Sequence, residues 1–254
     1  MSRLLTRRRI ITTGLSALAG ATGLAAAARL ADRYGLIPPD HGGIYGAGET
    51  LTYAAQRLLT SRGSFAREFS ASDISTVAPI NGPVPSSLDY RQLLARRFSD
   101  WRLEVDGLVA RPSSFSLADL RGFPASRQIT HQACEEGWSF IAEWIGVPLA
   151  HVLNLVGASP RAKYVVFFAL DDLWESIDMG DAWHPQTLLA YGMNGVAALP
   201  PPHGAPVRLR VPRQLGYKSL KYLTQISVVD SVKDIGQGLG SISPELGYSW
   251  YAGI

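Results

Sequence analysis

Residues 128–138 read QITHQACEEGW, and this stretch is the most informative part of the chain for both fold and chemistry. The run from Gln128 to Cys134 is typical of a β-strand, and the acidic residues and glycine that follow favour a loop. Because a strand end positions a side chain rigidly, the Cys134 thiol is a candidate functional group. Two interpretations stay open, a buried inert cysteine and a soft thiolate ligand for a metal.

Other segments predict further strands. Apolar side chains alternate with polar or charged ones over residues 101–106, 207–211 and 222–228, which is the period of a half-buried strand. Residues 164–169 form a short apolar run that also favours a strand. The chain has more strand signals than helix signals.

Helix and turn signals lie between these strands. They are a short helix over Thr52–Leu59, a helix start at Ser116 with Asp119, a helix over Pro148–Val156 stopped by Gly157, and a hairpin turn at Asn194-Gly195. Residues 36–99 are otherwise expected to be irregular. Strands with scattered short helices and long connections predict a strand-rich α+β fold.

Composition restricts the classes of protein. The chain has 254 residues, of which 46% are hydrophobic and 18% charged, so it is neither disordered nor fibrous. Its single cysteine excludes a disulfide within the chain and any site that needs several cysteines. Residues 1–35 hold six arginines and one aspartate, which leaves 18 basic and 20 acidic side chains elsewhere. A remainder with a net charge of −2 gives no electrostatic basis for binding nucleic acid.

The N-terminus predicts export. Arg7-Arg8-Arg9-Ile10-Ile11 precedes an uncharged run, rich in alanine and glycine, that ends at Ala28. Adjacent arginines before two isoleucines resemble a twin-arginine signal, the route for proteins that acquire a cofactor before export. A transmembrane anchor is the alternative, although so much alanine and glycine makes insertion weak. We expect a leader over residues 1–35 and one periplasmic domain over residues 36–254.

A proline-rich segment carries the second candidate group. Residues 199–208 read LPPPHGAPVR, in which prolines and a glycine present His203 with little conformational freedom. Arg208 and Arg210 share one face of the predicted strand. One arginine is then expected to clamp a phosphate while the other is solvated. The alternative is a rigid turn followed by two solvent-facing arginines.

The third candidate group lies in GYKSLK, residues 216–221. Ser219 and Lys221 are two residues apart, so in an extended chain they face the same way. A hydroxyl beside an ammonium suits a phosphate or an anionic ring edge. The alternative is an edge strand protected by lysines.

Together these segments resemble the sulfite oxidase family of molybdopterin-dependent oxidoreductases. The resemblance is carried by CEEGWS at 134–139, WIGVPL at 144–149, LAYGMNG at 189–195, HGAPVR at 203–208 and KSLK at 218–221. The chain is most similar to the bacterial exported subgroup, which includes periplasmic methionine sulfoxide reductases. That subgroup lacks the C-terminal dimerisation domain of animal sulfite oxidases, so the resemblance implies a sulfite-oxidase-type molybdopterin-binding fold without it.

The resemblance also implies roles for single residues. Cys134 matches the cysteine that ligates molybdenum, and His203 and Arg208 match residues that hold the molybdopterin. The pterin and its phosphate would be gripped by Ser219, Leu220 and Lys221. At His203 the chain is more similar to sulfite oxidase than to the reductases, which have asparagine there. The reductases also carry an aromatic-rich segment upstream, where this chain has Arg67-Glu68-Phe69.

The implied cofactor is molybdenum–molybdopterin. The implied reaction moves an oxygen atom to or from a small sulfur or nitrogen oxide, such as a sulfoxide or sulfite. A two-electron site with no second cofactor implies a separate electron partner, either a membrane haem protein or a cytochrome. We expect this chain itself to be a monomeric catalytic subunit.

Two other classes of function stay open. A metal-dependent hydrolase would use His131 with Cys134, and Asp181 with His184, because a spacing of three can bring ligands together. A catalytically silent periplasmic binding module would keep the fold and lose the chemistry.

Overall fold

The computed structural model of the protein describes residues 26–59, 63–170 and 172–254, so the twin-arginine stretch lies outside the described residues. The described part contains helices and two β-sheets. The helices are α1 (described over residues 26–33), α2 (Ala47–Leu59), α3 (Leu88–Ala95), α4 (Leu117–Gly122), α5 (Leu149–Val156), α6 (Met179–Ala182) and α7 (Ile242–Glu245). The strands are β1 (Arg102–Gly107), β2 (Ser113–Ser116), β3 (Ser126–Ala133), β4 (Ser139–Pro148), β5 (Tyr164–Ala169), β6 (Trp174–Asp178), β7 (Leu188–Met193), β8 (Arg208–Arg210) and β9 (Leu223–Val229). This strand-rich α+β architecture is the predicted fold class.

The first sheet has five strands in the order β2-β1-β9-β5-β6. The pair β1–β9 is parallel and its other pairs are antiparallel. The alternation predicted at 101–106 is confirmed, because Leu103 and Val105 are buried while Arg102 and Glu104 are exposed. The strands predicted around 164–169 and 222–228 are β5 and β9.

The second sheet has four antiparallel strands in the order β3-β4-β7-β8, and it carries the predicted chemistry. Its two edge strands approach each other, since the Arg210 side chain of β8 donates to the carbonyl of His131 on β3 at 2.5 Å. The inward face of β3 is polar, with Gln128, Thr130 and Gln132 all buried. The sheet therefore encloses a polar interior that ends at Cys134.

Helix boundaries follow the local signals where these are present. Ser116 and Asp119 form a reciprocal capping box at the start of α4, as predicted. The helix predicted over 148–156 is α5, and it ends at Gly157 in the left-handed conformation, with φ 68°. The helix predicted over 52–59 is longer, because α2 begins at Ala47.

One prediction for the N-terminal half is wrong. Residues 36–99 are not irregular outside the predicted helix, because α3 lies within them. The Ser87 hydroxyl caps α3 by accepting from the Tyr90 amide, and the Tyr90 ring packs against Tyr222 at 5.4 Å. Tertiary packing of one aromatic side chain thus fixes a helix whose own apolar pattern is weak.

The two sheets share one large hydrophobic core, which includes Val105 and Phe167 from the first sheet and Trp144 and Leu189 from the second. A smaller cluster joins α2 to the C-terminal residues through Tyr53, Trp250 and Tyr251, and Tyr164 of β5 packs against it. Among the described residues, no helix combines the length and the apolar character that crossing a bilayer requires.

Candidate functional site

Cys134 follows β3 directly and opens the tight loop to β4, as predicted. Its amide donates to the Trp138 carbonyl at 2.9 Å, and the Gly137 amide donates back to the Cys134 carbonyl at 3.1 Å. The loop closes through Gly137, whose φ of 90° favours glycine. The thiol is buried, and its sulfur lies 3.3 Å from a carboxylate oxygen of Glu135.

The Cys134 thiol is protonated in these surroundings. Burial raises its pKa to about 11, and the charges of Glu135 and Glu136 act in the same direction. A thiol of this kind is inert towards electrophiles at neutral pH. Only a cation bound at the sulfur would hold it as a thiolate, so the pKa is consistent with both interpretations offered by the sequence.

His203 ends a short 3-10 turn, Pro201–His203, just before Gly204. A side chain at Gly204 would meet the Cβ and Cγ atoms of Lys221 at 2.9 Å, so the glycine lets that lysine approach. Burial, together with the charges of Arg208 and Lys221, lowers the pKa of His203 to about 4. The imidazole is therefore neutral at neutral pH.

Both arginines of β8 are buried, with exposed fractions of 5% for Arg208 and 1% for Arg210. Each guanidinium lies over the Trp144 ring, at 5.2 and 5.3 Å from its centroid. Arg208 donates to the carbonyls of His203 and Ser219 at 3.1 and 2.7 Å. The prediction that one arginine is solvated is wrong, because the curled sheet encloses both, and the alternative of two solvent-facing arginines is wrong as well.

These arginines lack a counter-ion within the described part of the chain. The ion pairs found there involve neither Arg208 nor Arg210. Burial lowers the pKa of Arg208 to about 10 and that of Arg210 to about 9, and the Nε of Arg210 has no hydrogen-bond partner among the described residues. Two buried guanidiniums without a carboxylate make a site for an anion.

The segment 216–221 is a 3-10 turn followed by a bend, so the edge-strand alternative is wrong. The Ser219 hydroxyl accepts from the Val211 amide at 3.1 Å and from Arg210 at 3.4 Å. Lys221 reaches the carbonyls of Asn81 and Pro202 at 2.7 and 3.2 Å. Several elements distant in sequence thus meet at this bend.

A cavity of about 180 Å³ lies at the bend, and four of the six predicted site residues line it, namely Arg208, Ser219, Leu220 and Lys221. Glu135 and Gly216 lie on its wall beside the cysteine loop. A side chain at Gly216 would meet Gln132 Nε2 at 2.5 Å and Cys134 Cα at 3.5 Å, so the two segments are in contact. His203 lines a different cavity, with Met193, Leu199 and Pro200.

Several residues of this site cannot be found from the sequence. The pattern of β8 indicates Arg210 only as a partner of Arg208, and no pattern indicates a role for Lys218. Lys218 is fully buried and pairs with Glu175 at 2.8 Å, and Glu175 also lines the cavity. The C-terminal residues Ser243, Leu246 and Tyr248 complete the wall. No local sequence pattern predicts the Lys218–Glu175 pair, because the two residues are 43 positions apart.

The upstream segment lies beside β3 and away from the cavity wall. Glu68 pairs with Thr130, and the Phe69 amide donates to the Ile129 carbonyl at 2.9 Å. The Arg67 guanidinium stacks on the Phe69 ring at 4.6 Å. Residues 67–69 therefore extend the second sheet on the strand that ends at Cys134.

The hydrolase alternative has no ligand set in the part of the chain that the structure describes. No group of three histidine, cysteine, aspartate or glutamate side chains there could hold a metal ion. Asp181 is instead fully buried and bound by Arg213 and Gln214, at 3.2 and 2.7 Å. His184 is likewise buried and stacks edge-on with Phe65.

The donor set fits a molybdopterin. A soft thiol stands at one end of the site, and buried guanidiniums with an orphaned donor atom stand beside a cavity that a lysine and a serine also line. Thiolate sulfur suits a soft metal, and arginine suits a phosphate. All six predicted site residues lie within residues 85–235, which match the family model of the oxidoreductase molybdopterin-binding domain, and the chain belongs to that family.

Two curated relatives show which members of the family the chain is similar to. The chain is 42% identical over 155 residues to the subunit YedZ1 of Azospira oryzae, covering 61% of this chain and 56% of that protein. It is 38% identical over 154 residues to the protein-methionine-sulfoxide reductase catalytic subunit MsrP of Xanthomonas campestris pv. campestris, covering 54% of this chain and 48% of the relative. The chain thus spans about half the length of the curated relatives it matches.

A solved structure supports the sulfite-oxidase-type fold. The sulfane dehydrogenase SoxCD from Paracoccus pantotrophus superposes with a TM-score of 0.50 and 27% identity, over 52% of this chain and 39% of that chain.

Proposed function

We propose that the protein is a periplasmic molybdenum-dependent oxidoreductase that moves an oxygen atom to or from a small sulfur oxide, with methionine sulfoxide as the first substrate to test. The substrate class is supported by the similarity to MsrP. In the reductive direction, a sulfoxide takes up two electrons and two protons and yields a thioether and water. Residues 36–254 would form the catalytic domain.

One observation carries the proposal, the pair of buried arginines without a carboxylate. A protein gains nothing from two uncompensated buried charges, because their desolvation destabilises the fold. Their presence beside Ser219 and Lys221 is explained if a bound anion supplies the missing charge. The phosphate of a molybdopterin is such an anion.

Each residue of the site would have a role that follows from its position. Bound molybdenum supplies the two-electron oxygen-atom transfer, since the redox chemistry belongs to the cofactor. Cys134 would bind the metal through its sulfur and give up its proton on binding. Arg208, Arg210 and Lys221 would fix the phosphate through charge-assisted hydrogen bonds, and the backbone carbonyl of His203 would orient Arg208.

The first test measures the metal and pterin content of the purified protein, before any activity is measured. Protein purified from a host that makes molybdopterin should contain molybdenum and pterin in near-equimolar amounts, measured by mass spectrometry of metals and by pterin fluorescence. Arg208→Met should lower the pterin content several-fold. Arg127→Met is the matched control, because Arg127 is a surface residue of β3 with a 59% exposed side chain. Zinc without pterin, or equal loss in both variants, would contradict the proposal.

The substrate and partner are tested on the loaded enzyme. With a reduced viologen as electron donor, methionine sulfoxide should be turned over, and amine N-oxides would be compared in the same assay. Sulfite would be tested separately with an oxidised dye as electron acceptor, because its oxidation releases two electrons. We expect no haem absorption in the purified protein, which would then depend on artificial donors or on a separate haem partner. Turnover of sulfite alone would show that the oxygen atom is transferred to the substrate and would exclude methionine sulfoxide as the substrate.

Export is tested on the leader. Arg7→Lys with Arg8→Lys keeps the charge of the N-terminus and removes the arginine pair. If the twin-arginine route is used, this variant should stay in the cytoplasm while the unaltered chain reaches the periplasm. Equal export of both would exclude that route.

A further inference from the structure

Helix α2 turns its charged side chains towards the protein. The carboxylate of Glu49 accepts from the Trp250 amide at 3.2 Å. The Arg57 side chain is only 5% exposed and pairs with Asp178, with Asp181 at 3.8 Å. This arrangement is the reverse of an ordinary surface helix, whose charges face water.

The outward face of α2 is uncharged. Ala47, Leu51, Ala55 and Leu58 fall within about 80° around the helix axis, given 100° per residue. Leu51 and Leu58 are 71% and 70% exposed. Leu59 at the end of the helix is 86% exposed. Gly48 and Thr52 are exposed as well, but every long side chain on this solvated face is a leucine, which signals a missing partner.

The face continues on neighbouring segments. Leu30 of α1 and Tyr34 just after it are 53% and 65% exposed, and Tyr34 lines a groove together with Leu58. Ile44, in the short turn before α2, is 72% exposed. We call Leu30, Tyr34, Ile44, Leu51 and Leu58 the α1–α2 apolar surface. All of it lies outside the residues that match the family model.

The sequence and charges at its border identify the occupant. Arg29 and Arg33 of α1 are exposed beside Leu30, and with the exposed Asp32 they leave a net charge of +1 there. The uncharged run that starts at Ile10 ends at Ala28, two residues before Leu30. Apolar side chains bordered by arginines are the pattern of a helix that lies in a membrane interface with anionic lipids.

We propose that the α1–α2 apolar surface lies on an anionic lipid bilayer, with Leu51 and Leu58 at the level of the lipid headgroups. The inference does not depend on the proposed function, because none of its residues lines the cofactor cavity. It places the enzyme at the membrane surface, where a membrane-bound electron partner would also be found.

The test is flotation of the full chain with vesicles of phosphatidylcholine and phosphatidylglycerol at 3:1. We expect binding that weakens with salt and on pure phosphatidylcholine. Leu51→Gln with Leu58→Gln should weaken binding about tenfold or more. The matched control is Leu88→Gln with Val196→Gln, two residues that are 61% and 60% exposed elsewhere and should leave binding unchanged.

A second variant keeps the test independent of α2 folding. Leu30→Gln with Tyr34→Gln alters α1 only, and should also weaken binding while circular dichroism stays unchanged. Wild-type binding by both double variants, or no vesicle binding by the unaltered chain, would overturn the proposal. Light scattering that shows a dimer broken by the Leu51 and Leu58 changes would overturn it in favour of a second copy of the chain.

Discussion

Replacing Arg210 by methionine should stabilise the cofactor-free protein and weaken its response to the cofactor. Burial lowers the pKa of Arg210 from its ordinary value to about 9, and the charge of Arg208 acts in the same direction. Each pKa unit corresponds to about 1.4 kcal/mol, so the folded protein loses about 5 kcal/mol at pH 7 by keeping this charge. The hydrogen bond to the His131 carbonyl and two longer ones at 3.4 Å return about 3 kcal/mol.

The difference between the cost of burying the charge and the gain from its hydrogen bonds gives the expected change in stability. Arg210→Met should raise the free energy of unfolding of the cofactor-free protein by about 2 kcal/mol, since methionine fills similar space without charge. For a protein of this size, that corresponds to a melting temperature higher by about 4–8 °C. With the cofactor bound, the gain should shrink or reverse, because the wild-type guanidinium then has its anion.

The difference in stability between the wild-type protein and the Arg210→Met variant should depend on pH in a definite direction. Below pH 9 the arginine is charged in both the folded and the unfolded state, so the destabilisation is complete. Above pH 9 the folded state loses the proton before the unfolded state does. The wild-type protein then regains the stability that the buried charge had cost, whereas the Arg210→Met variant carries no such charge and does not change. The gap between the two melting temperatures should therefore be constant from pH 6 to 8 and narrow above about pH 9.

Differential scanning fluorimetry of protein from hosts with and without molybdopterin synthesis measures both effects. A variant that melts several degrees below wild type, by the same amount with and without cofactor, would show that Arg210 is a structural residue. That result would remove the main support for an anion site at the two arginines.

Three further predictions concern single positions. Cys134→Ser should keep the fold, because the side chain lies in a loop, and should lose turnover at least a thousandfold; an active serine enzyme would refute the ligand assignment. Gly216→Ala should destabilise the protein by about 1–3 kcal/mol in urea unfolding, because the new methyl group would meet the amide of a buried glutamine at 2.5 Å. Gly48→Ala is the control on open space in α2, where helix propensity should stabilise slightly. Lys218→Met should destabilise by about 3–5 kcal/mol by leaving Glu175 buried and unpaired, and adding Glu175→Gln should restore part of the loss; no recovery would exclude their pairing as the cause.

Sequence patterns predicted the elements whose signals are local. The alternation at 101–106, the apolar run of β5 and the capping box of α4 each depend on neighbours in the chain, and each is present. The position of Cys134 after a strand belongs to the same class, because the glycine and acidic residues of its loop directly follow β3.

The arginines show where this reasoning stops. Alternation placed Arg208 and Arg210 on one face correctly, but it could not tell which face of β8 is enclosed. That depends on the curl of the second sheet, which brings β3 within reach of Arg210. The same limit applies to Lys218, whose partner Glu175 lies 43 positions away. α3 was missed for a related reason, because Tyr90 packs against Tyr222 far along the chain.

The low pKa of His203 has a consequence for how the protein tolerates acidity. With this imidazole neutral down to about pH 4 and both β8 arginines charged up to about pH 9, the charge of these three side chains is constant throughout that interval. A ligand held by the arginines would therefore not be released by a change in the charge of these side chains when the medium becomes acidic.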